Sequence, residues 1–282
     1  MGERFPTYFI DWLCVWRALH DETYEAPADI KARAEGWERD VLAGKEMSEA
    51  DRRLSTTLFA ELTVDEFKDV VRAFKAQPAW GFKGMTYGES VFKPMASVVK
   101  YLADNGYAVY ICSGTLRDAV RVMCEGTLDK WIDDSHVIGT DLFLEASGQG
   151  ETAGEDYTMG TGEKLLVVGG DYDDKNLKTN KVISIEREIG KHPVLAFGNS
   201  GGDMAMGNYT LDNPHYKGAA FMLLCDNTEL DYGDLEVAAD FAAKCEAAGF
   251  TTVSMAHDWT TIYGEGVVKA PVAAEGELPA AA

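Results

Sequence analysis

Residues 197–203 read Phe197-Gly198-Asn199-Ser200-Gly201-Gly202-Asp203, directly behind the apolar run that starts at Val194. A short apolar run breaking into glycine-rich polar sequence marks a strand entering a turn. In an open α/β sheet, ligands sit just beyond the carboxyl ends of the strands, so this turn is the first place to look for chemistry. Asn199 and Asp203, four residues apart, place two hard oxygen donors where a cation such as Mg²⁺ is taken up. The same residues also suit a plain glycine-rich turn.

Working outward, Val182, Ile185 and Ile189 form a helical stripe that ends at Gly190, and Phe221 to Cys225 is a further strand-like run. Upstream, Met95, Val98, Val99 and Leu102 form another stripe, and Asn105-Gly106 supplies the stop. Tyr107 to Cys112 reads as a strand, and Leu116, Val120 and Met123 as the next helix, with Thr115 expected at its N-cap. Strands separated by helices of this length predict an α/β fold, a Rossmann-like parallel sheet with helices on both faces, over residues 91–270. Residues 139–178 are Gly- and Asp-rich and read as a hairpin-like excursion from it. Residues 1–90 read as a helical block with four of the six tryptophans. Ser48 with Asp51, and Thr63 with Glu66, have capping spacing. Pro271 to Ala282 is expected to be a disordered tail.

Two more places carry polar groups at strand or helix ends. Ser113-Gly114-Thr115 follows the run Tyr107 to Cys112. The Ser113 hydroxyl and the amides of Gly114 and Thr115 would receive an anionic oxygen such as a phosphoryl group, or the two hydroxyls cap the helix. Lys181 opens the helix that leads back to Val194, where a cation opposes the helix dipole, a cost consistent with holding phosphate. The alternative is a solvated surface lysine, with Lys178 the second candidate for the role.

The charge balance, 26 Lys+Arg against 47 Asp+Glu for a formal −21, argues against binding a nucleic-acid backbone. No apolar run approaches the length of a membrane helix, so no membrane contact is expected. Five cysteines without a C-x-x-C pair suit reduced thiols and a cytoplasmic location.

Considered together, Ser-Gly-Thr after one strand, Lys181 at a helix start and Gly-Asn-Ser-x-x-Asp after the next strand resemble the haloacid dehalogenase superfamily, and within it the phosphoserine and phosphocholine phosphatases. The resemblance spans roughly residues 90 to 230. It implies Mg²⁺-dependent hydrolysis of a small phosphorylated metabolite through an aspartyl-phosphate. Ser113 and Lys181 would bind the phosphoryl group, and Asn199 and Asp203 would serve the metal. Residues 1–90 would be the cap over the substrate. In that family the nucleophile is the first aspartate of an Asp-x-Asp motif ending a strand in the middle of the sheet. Here Gly2-Glu3-Arg4-Phe5-Pro6 follows Met1 at once. The central strand and its nucleophile are therefore expected upstream of Met1, in a longer chain. Asp171-Tyr172-Asp173 is the single internal match, and it lies out of order in the excursion. The resemblance equally allows a non-catalytic module of the same fold that binds phosphate or metal. The aromatics Trp12, Trp16, Tyr24, Trp37, Trp80, Phe82 and Tyr87 could cage a quaternary ammonium or simply fill a core.

Overall fold

The structure, a computed structural model, describes residues 8–173 and 175–270. The segments 1–7 and 271–282, including the expected tail, lie outside the described residues.

The first four helices are α1 (Phe9–Leu19), α2 (Ala28–Leu42), α3 (Glu49–Ser55) and α4 (Val64–Lys75). Their starts follow local capping chemistry. The Ser48 hydroxyl accepts from the Asp51 amide, and Thr63 with Glu66 forms a complete capping box. Phe67, Val71 and Phe74 then turn one face of α4 inward. The aromatics are packed against one another in the core: Trp12 stacks on Trp80 at 5.2 Å between centroids, and Phe74 on Tyr87 at 4.4 Å. Trp12, Trp37, Trp80, Phe82 and Tyr87 are all buried. Burial of these rings against each other leaves no open cage for a quaternary ammonium among them, so they act as core.

After the short strand β1 (Phe82–Lys83) come α5 (Lys93–Asp104), β2 (Ile111–Leu116), α6 (Arg117–Cys124) and β3 (Val137–Thr140). The strands β4 (Leu142–Ala146) and β5 (Leu165–Tyr172) pair antiparallel. This hairpin is pinned beneath the helices, since the Glu61 amide donates to the Val167 carbonyl and the Val167 amide to the Leu62 carbonyl. The chain continues with α7 (Thr179–Glu188), β6 (Leu195–Gly198), α8 (Met204–Leu211), β7 (Ala219–Leu224), α9 (Leu235–Ala247), β8 (Thr251–Ser254) and β9 (Val268–Lys269).

The architecture is mixed α/β with small parallel sheets. β2 pairs parallel with β3, and β6, β7 and β8 form a second parallel set in that order. The single sheet expected from the sequence is thus divided. Among the described residues no ladder joins β2 to β6. A cavity of about 650 Å³ lies between them, lined by Tyr107 to Ser113 on one side and Val194 to Asn199 on the other. The expected strand at Tyr107 to Cys112 is accordingly displaced: the ladder to β3 begins only at Ile111 and reaches Leu116. A strand exists where a partner strand supplies hydrogen bonds, and Tyr107 to Tyr110 face the cavity instead.

Candidate functional site

β2 does not run smoothly through the residues singled out above. Its register shifts between Cys112 and Leu116, which lifts Ser113-Gly114-Thr115 out of the ladder as a bulge. The bulge is held from both directions. The Ser113 hydroxyl accepts from the Thr115 amide at 3.1 Å, Asn176 Nδ2 donates to the Ser113 carbonyl at 2.8 Å, and the Thr140 hydroxyl donates to the Gly114 carbonyl at 2.9 Å. Asn176 is in turn fixed by its own amide, which donates to the Thr140 hydroxyl at 3.0 Å. α6 starts one residue later than expected, with Leu116 rather than Thr115 at the N-cap and no side-chain cap bond. Ser113 therefore organises its own turn, and neither hydroxyl caps α6.

Lys181 sits in the first turn of α7 and is buried, with 5% of its surface exposed. Its Nζ donates to the Cys112 carbonyl and to Asp203 Oδ1, each at 2.7 Å. Lys178, at the N-cap of α7, is exposed and takes a positive φ of 56°. Of the two candidate lysines, only Lys181 reaches the site.

Asp203 stands at the N-cap of α8, but its side chain makes no cap bond to that helix. The carboxylate turns back over the Gly-rich turn, where Oδ2 accepts from the Asn199 amide at 3.0 Å and the Ser200 amide at 3.2 Å. That return is possible because residue 198 has no side chain: a Cβ there would lie 2.4 Å from the Asp203 Cβ. Strand β6, the turn and α8 thus present Asn199 and Asp203 to the end of the cavity at which Lys181 and Ser113 also lie.

Ser113, Lys181, Asn199 and Asp203 all line the 650 Å³ cavity. Gly114 and Thr115 do not. They line a separate space of about 20 Å³ with Ile10, Arg52 and Lys175 from the helical side. Asp171 and Asp173 line neither space, and Asp171 pairs with Arg53 at the hairpin. Sequence reading passed over Asn176, the residue that anchors the bulge, because a lone asparagine in a Gly- and Asp-rich loop carries no local signal. It also passed over Cys112. Burial pushes the Cys112 thiol above its ordinary range despite the nearby Lys181 ammonium, so it is a neutral wall of the site.

For Mg²⁺ the test is the donor set. This cation asks for about six oxygens, usually with one or two carboxylates and several waters. Asp203 is the one carboxylate lining the cavity among the described residues, and both of its oxygens are already engaged. No group of three or more His, Cys, Asp or Glu side chains is gathered as a metal site among the described residues. Asn199 and Asp203 alone do not make a Mg²⁺ site.

No protein-family model and no curated protein sequence matches the chain. Among solved structures it is similar to a protein with unknown function from Bordetella pertussis Tohama I. The two share 11% identity over 86% of this chain and 90% of that one, with a TM-score of 0.50. It is also similar to a phosphoserine phosphohydrolase-like protein from Francisella tularensis subsp. tularensis SCHU S4, at 12% identity over 77% and 81%, with a TM-score of 0.39. The first likeness bears on fold alone. With the strand order above, it fits a Rossmann-like α/β architecture. No helix among the described residues is long and apolar enough to cross a membrane.

Proposed function

We propose that the chain is a phosphoric monoester hydrolase of the haloacid dehalogenase type acting on a small phosphorylated metabolite. The observation that supports this most is the convergence of Ser113, Lys181, Asn199 and Asp203, from three separate segments of the chain, on one end of one cavity. Lys181 and the Ser113 hydroxyl would meet the phosphoryl oxygens, with charge stabilised in a site withdrawn from water. Asp203 holds Lys181 in position.

Because Lys181 is neutralised by Asp203, a phosphate dianion needs further positive charge there. We propose Mg²⁺ as its source, with Asn199 and Asp203 as the residues that would face it, short of a complete ligand set by themselves. The aspartate nucleophile that the resemblance implies is not among the described residues that line the cavity, where Asp203 is the one carboxylate. The nucleophile's oxygen would form a bond to phosphorus as the ester bond breaks and the leaving oxygen takes a proton from water, and a second water would then hydrolyse the acyl phosphate to the carboxylate and inorganic phosphate. The helices α1 to α4, which the resemblance casts as a cap, reach the small neighbouring space through Ile10 and Arg52 and contribute no lining residue to the cavity itself.

A second reading, a non-catalytic module that binds phosphate or metal, is favoured by one observation: the one carboxylate that lines the cavity among the described residues is committed to Lys181. The two separate on p-nitrophenyl phosphate, assayed with and without Mg²⁺, using this chain and one extended at its N-terminus. Metal-dependent turnover by the extended chain supports the hydrolase. Turnover by neither, with phosphate bound, supports the module.

A further inference from the structure

Residues 176 to 181, which lead into the first turn of α7, touch both halves of the divided sheet. Asn176 Nδ2 donates to the Ser113 carbonyl in the β2 bulge, and Lys181 Nζ bonds the Cys112 carbonyl on one side and Asp203 on the other. Leu177 lies between these polar ties. A Cβ on Gly202 would stand 2.7 Å from Leu177 Cδ1, and one on Gly114 would stand 3.6 Å from the same atom. One methyl group of Leu177 thus rests against the bulge that carries Ser113 and against the turn that carries Asn199 and Asp203. Gly202 does not take a positive φ. The closeness of Leu177, rather than the backbone conformation, is what calls for glycine there.

The backbone that holds Leu177 is strained. Lys178 has φ 56° and ψ −124°, the geometry of the first central position of a type II′ turn, where glycine is the usual residue. The Asn180 amide closes this turn on the Leu177 carbonyl at 3.2 Å, and Asn180 Nδ2 donates to the Lys175 carbonyl at 3.0 Å. The Lys178 amide donates to the Gly202 carbonyl at 3.1 Å, so the turn is bonded to the same loop on which Leu177 leans. A lysine in this conformation persists only where its surroundings over-determine it, and such positions cluster at ligand clamps and switches. Burial is not the compensation, since Leu177 is 38% exposed and Lys178 is exposed as well. What the strained turn secures is the contact of Leu177 with the two loops.

We propose that Leu177 is a positioning residue that sets the gap between the Ser113 bulge and the Asn199–Asp203 turn, with the turn at Lys178 as the clasp that keeps it in place. The hydrogen bonds of Asn176 and Lys181 draw the loops together. A methyl group packed against both backbones stops that approach, because close-packed atoms resist compression. Phosphoryl oxygens shared by Ser113 and Asn199 need the gap held to within about 0.5 Å. The inference rests on the proposed phosphate site for this role, while the packing of the clasp does not depend on it.

Inorganic phosphate with Mg²⁺ is the binding probe, and amide hydrogen exchange of the chain without phosphate reports the clasp itself. Leu177→Ala should weaken phosphate binding by about fivefold or more, whereas Leu177→Met, which keeps the volume, should stay within about twofold of the unchanged chain. Without phosphate, Leu177→Ala should speed exchange of the Thr115 amide on one loop and of the Lys178 and Gly202 amides on the other by about tenfold. Gly202→Ala drives a methyl group against Leu177 and should weaken binding too. Joining it to Leu177→Ala frees the space for that methyl group and should restore about threefold of the loss. Should Gly202→Ala fail to fold, the two Leu177 variants decide alone. Lys178→Gly should melt about 2–4 °C above Lys178→Ala, since both lose the charge and only glycine relieves the turn. Unchanged phosphate binding or unchanged exchange on either loop in Leu177→Ala, binding as weak in Leu177→Met as in Leu177→Ala, or equal melting of the two Lys178 variants would overturn the proposal. Exchange that quickens on both loops in a chain that binds no phosphate keeps the clasp and removes the phosphate site.

Discussion

Lys181 Nζ lies 2.7 Å from Asp203 Oδ1, and the two side chains are 6% and 8% exposed. Removing one member of a buried pair strands the other charge, which typically costs about 3–5 kcal/mol. Lys181→Met should therefore destabilise the chain by that order in urea denaturation, and the double variant with Asp203→Leu should recover part of the loss. A single-variant loss below about 1 kcal/mol would show that the pair is not buried in solution.

Gly198 sets the position of the carboxylate. Gly198→Ala drives a methyl group to 2.4 Å from the Asp203 Cβ, whereas a Cβ at Gly201 meets nothing within 4 Å. The first substitution should cost about 1–3 kcal/mol and loosen the bonds from the Asn199 and Ser200 amides. Gly201→Ala should be close to neutral. Equal melting temperatures for the two variants would contradict this account of the turn.

How far the chain could be read from its residues follows from how local each signal is. The turn Gly198 to Asp203 is legible because its glycines and its capping carboxylate lie within six positions. The caps at Ser48 and Thr63 are legible for the same reason. The start of β2 is not, because Tyr107 to Cys112 is uniformly apolar and the ladder depends on β3, more than twenty residues away. Thr115 looks like an N-cap only if the strand stops at Cys112; the bulge carries the strand past it. The clamp on Ser113 depends on Asn176, 63 residues later. α9 is rich in alanine and gives a faint stripe, so neither it nor β8 stands out.

Asn176 is a positioning residue in this arrangement. With 1% of its surface exposed, it gives the Ser113 carbonyl its hydrogen bond. Asn176→Ala leaves that carbonyl and the bulge without the donor, at a cost of about 1–3 kcal/mol. Faster hydrogen exchange confined to residues 112–116 would report it, and unchanged exchange there would contradict it.

Asp231 makes stability depend on pH. It is buried, accepts from the Tyr263 hydroxyl at 3.0 Å and from the Tyr232 amide at 2.8 Å, and burial pushes its pKa up to about 6. The folded state therefore favours the protonated acid. That contribution to stability is full below the unfolded value near 4 and is lost as pH rises through about 6. The stability of the chain relative to Asp231→Asn should fall by about 2 kcal/mol between pH 4.5 and 7. A pH-independent difference between the two, measured by urea denaturation, would place the carboxyl in water.

The central claim is that the groups at 113, 181, 199 and 203 form one phosphate site, which both functional readings require. The most direct measurement is a titration of the chain with inorganic phosphate in the presence of Mg²⁺, followed through backbone amide chemical shifts. The account predicts saturable shifts concentrated at Ser113, Lys181, Asn199, Ser200 and Asp203, and at least tenfold weaker binding, about 1.4 kcal/mol, in Lys181→Met. Saturable shifts that cluster elsewhere, or unchanged binding in Lys181→Met, would contradict it.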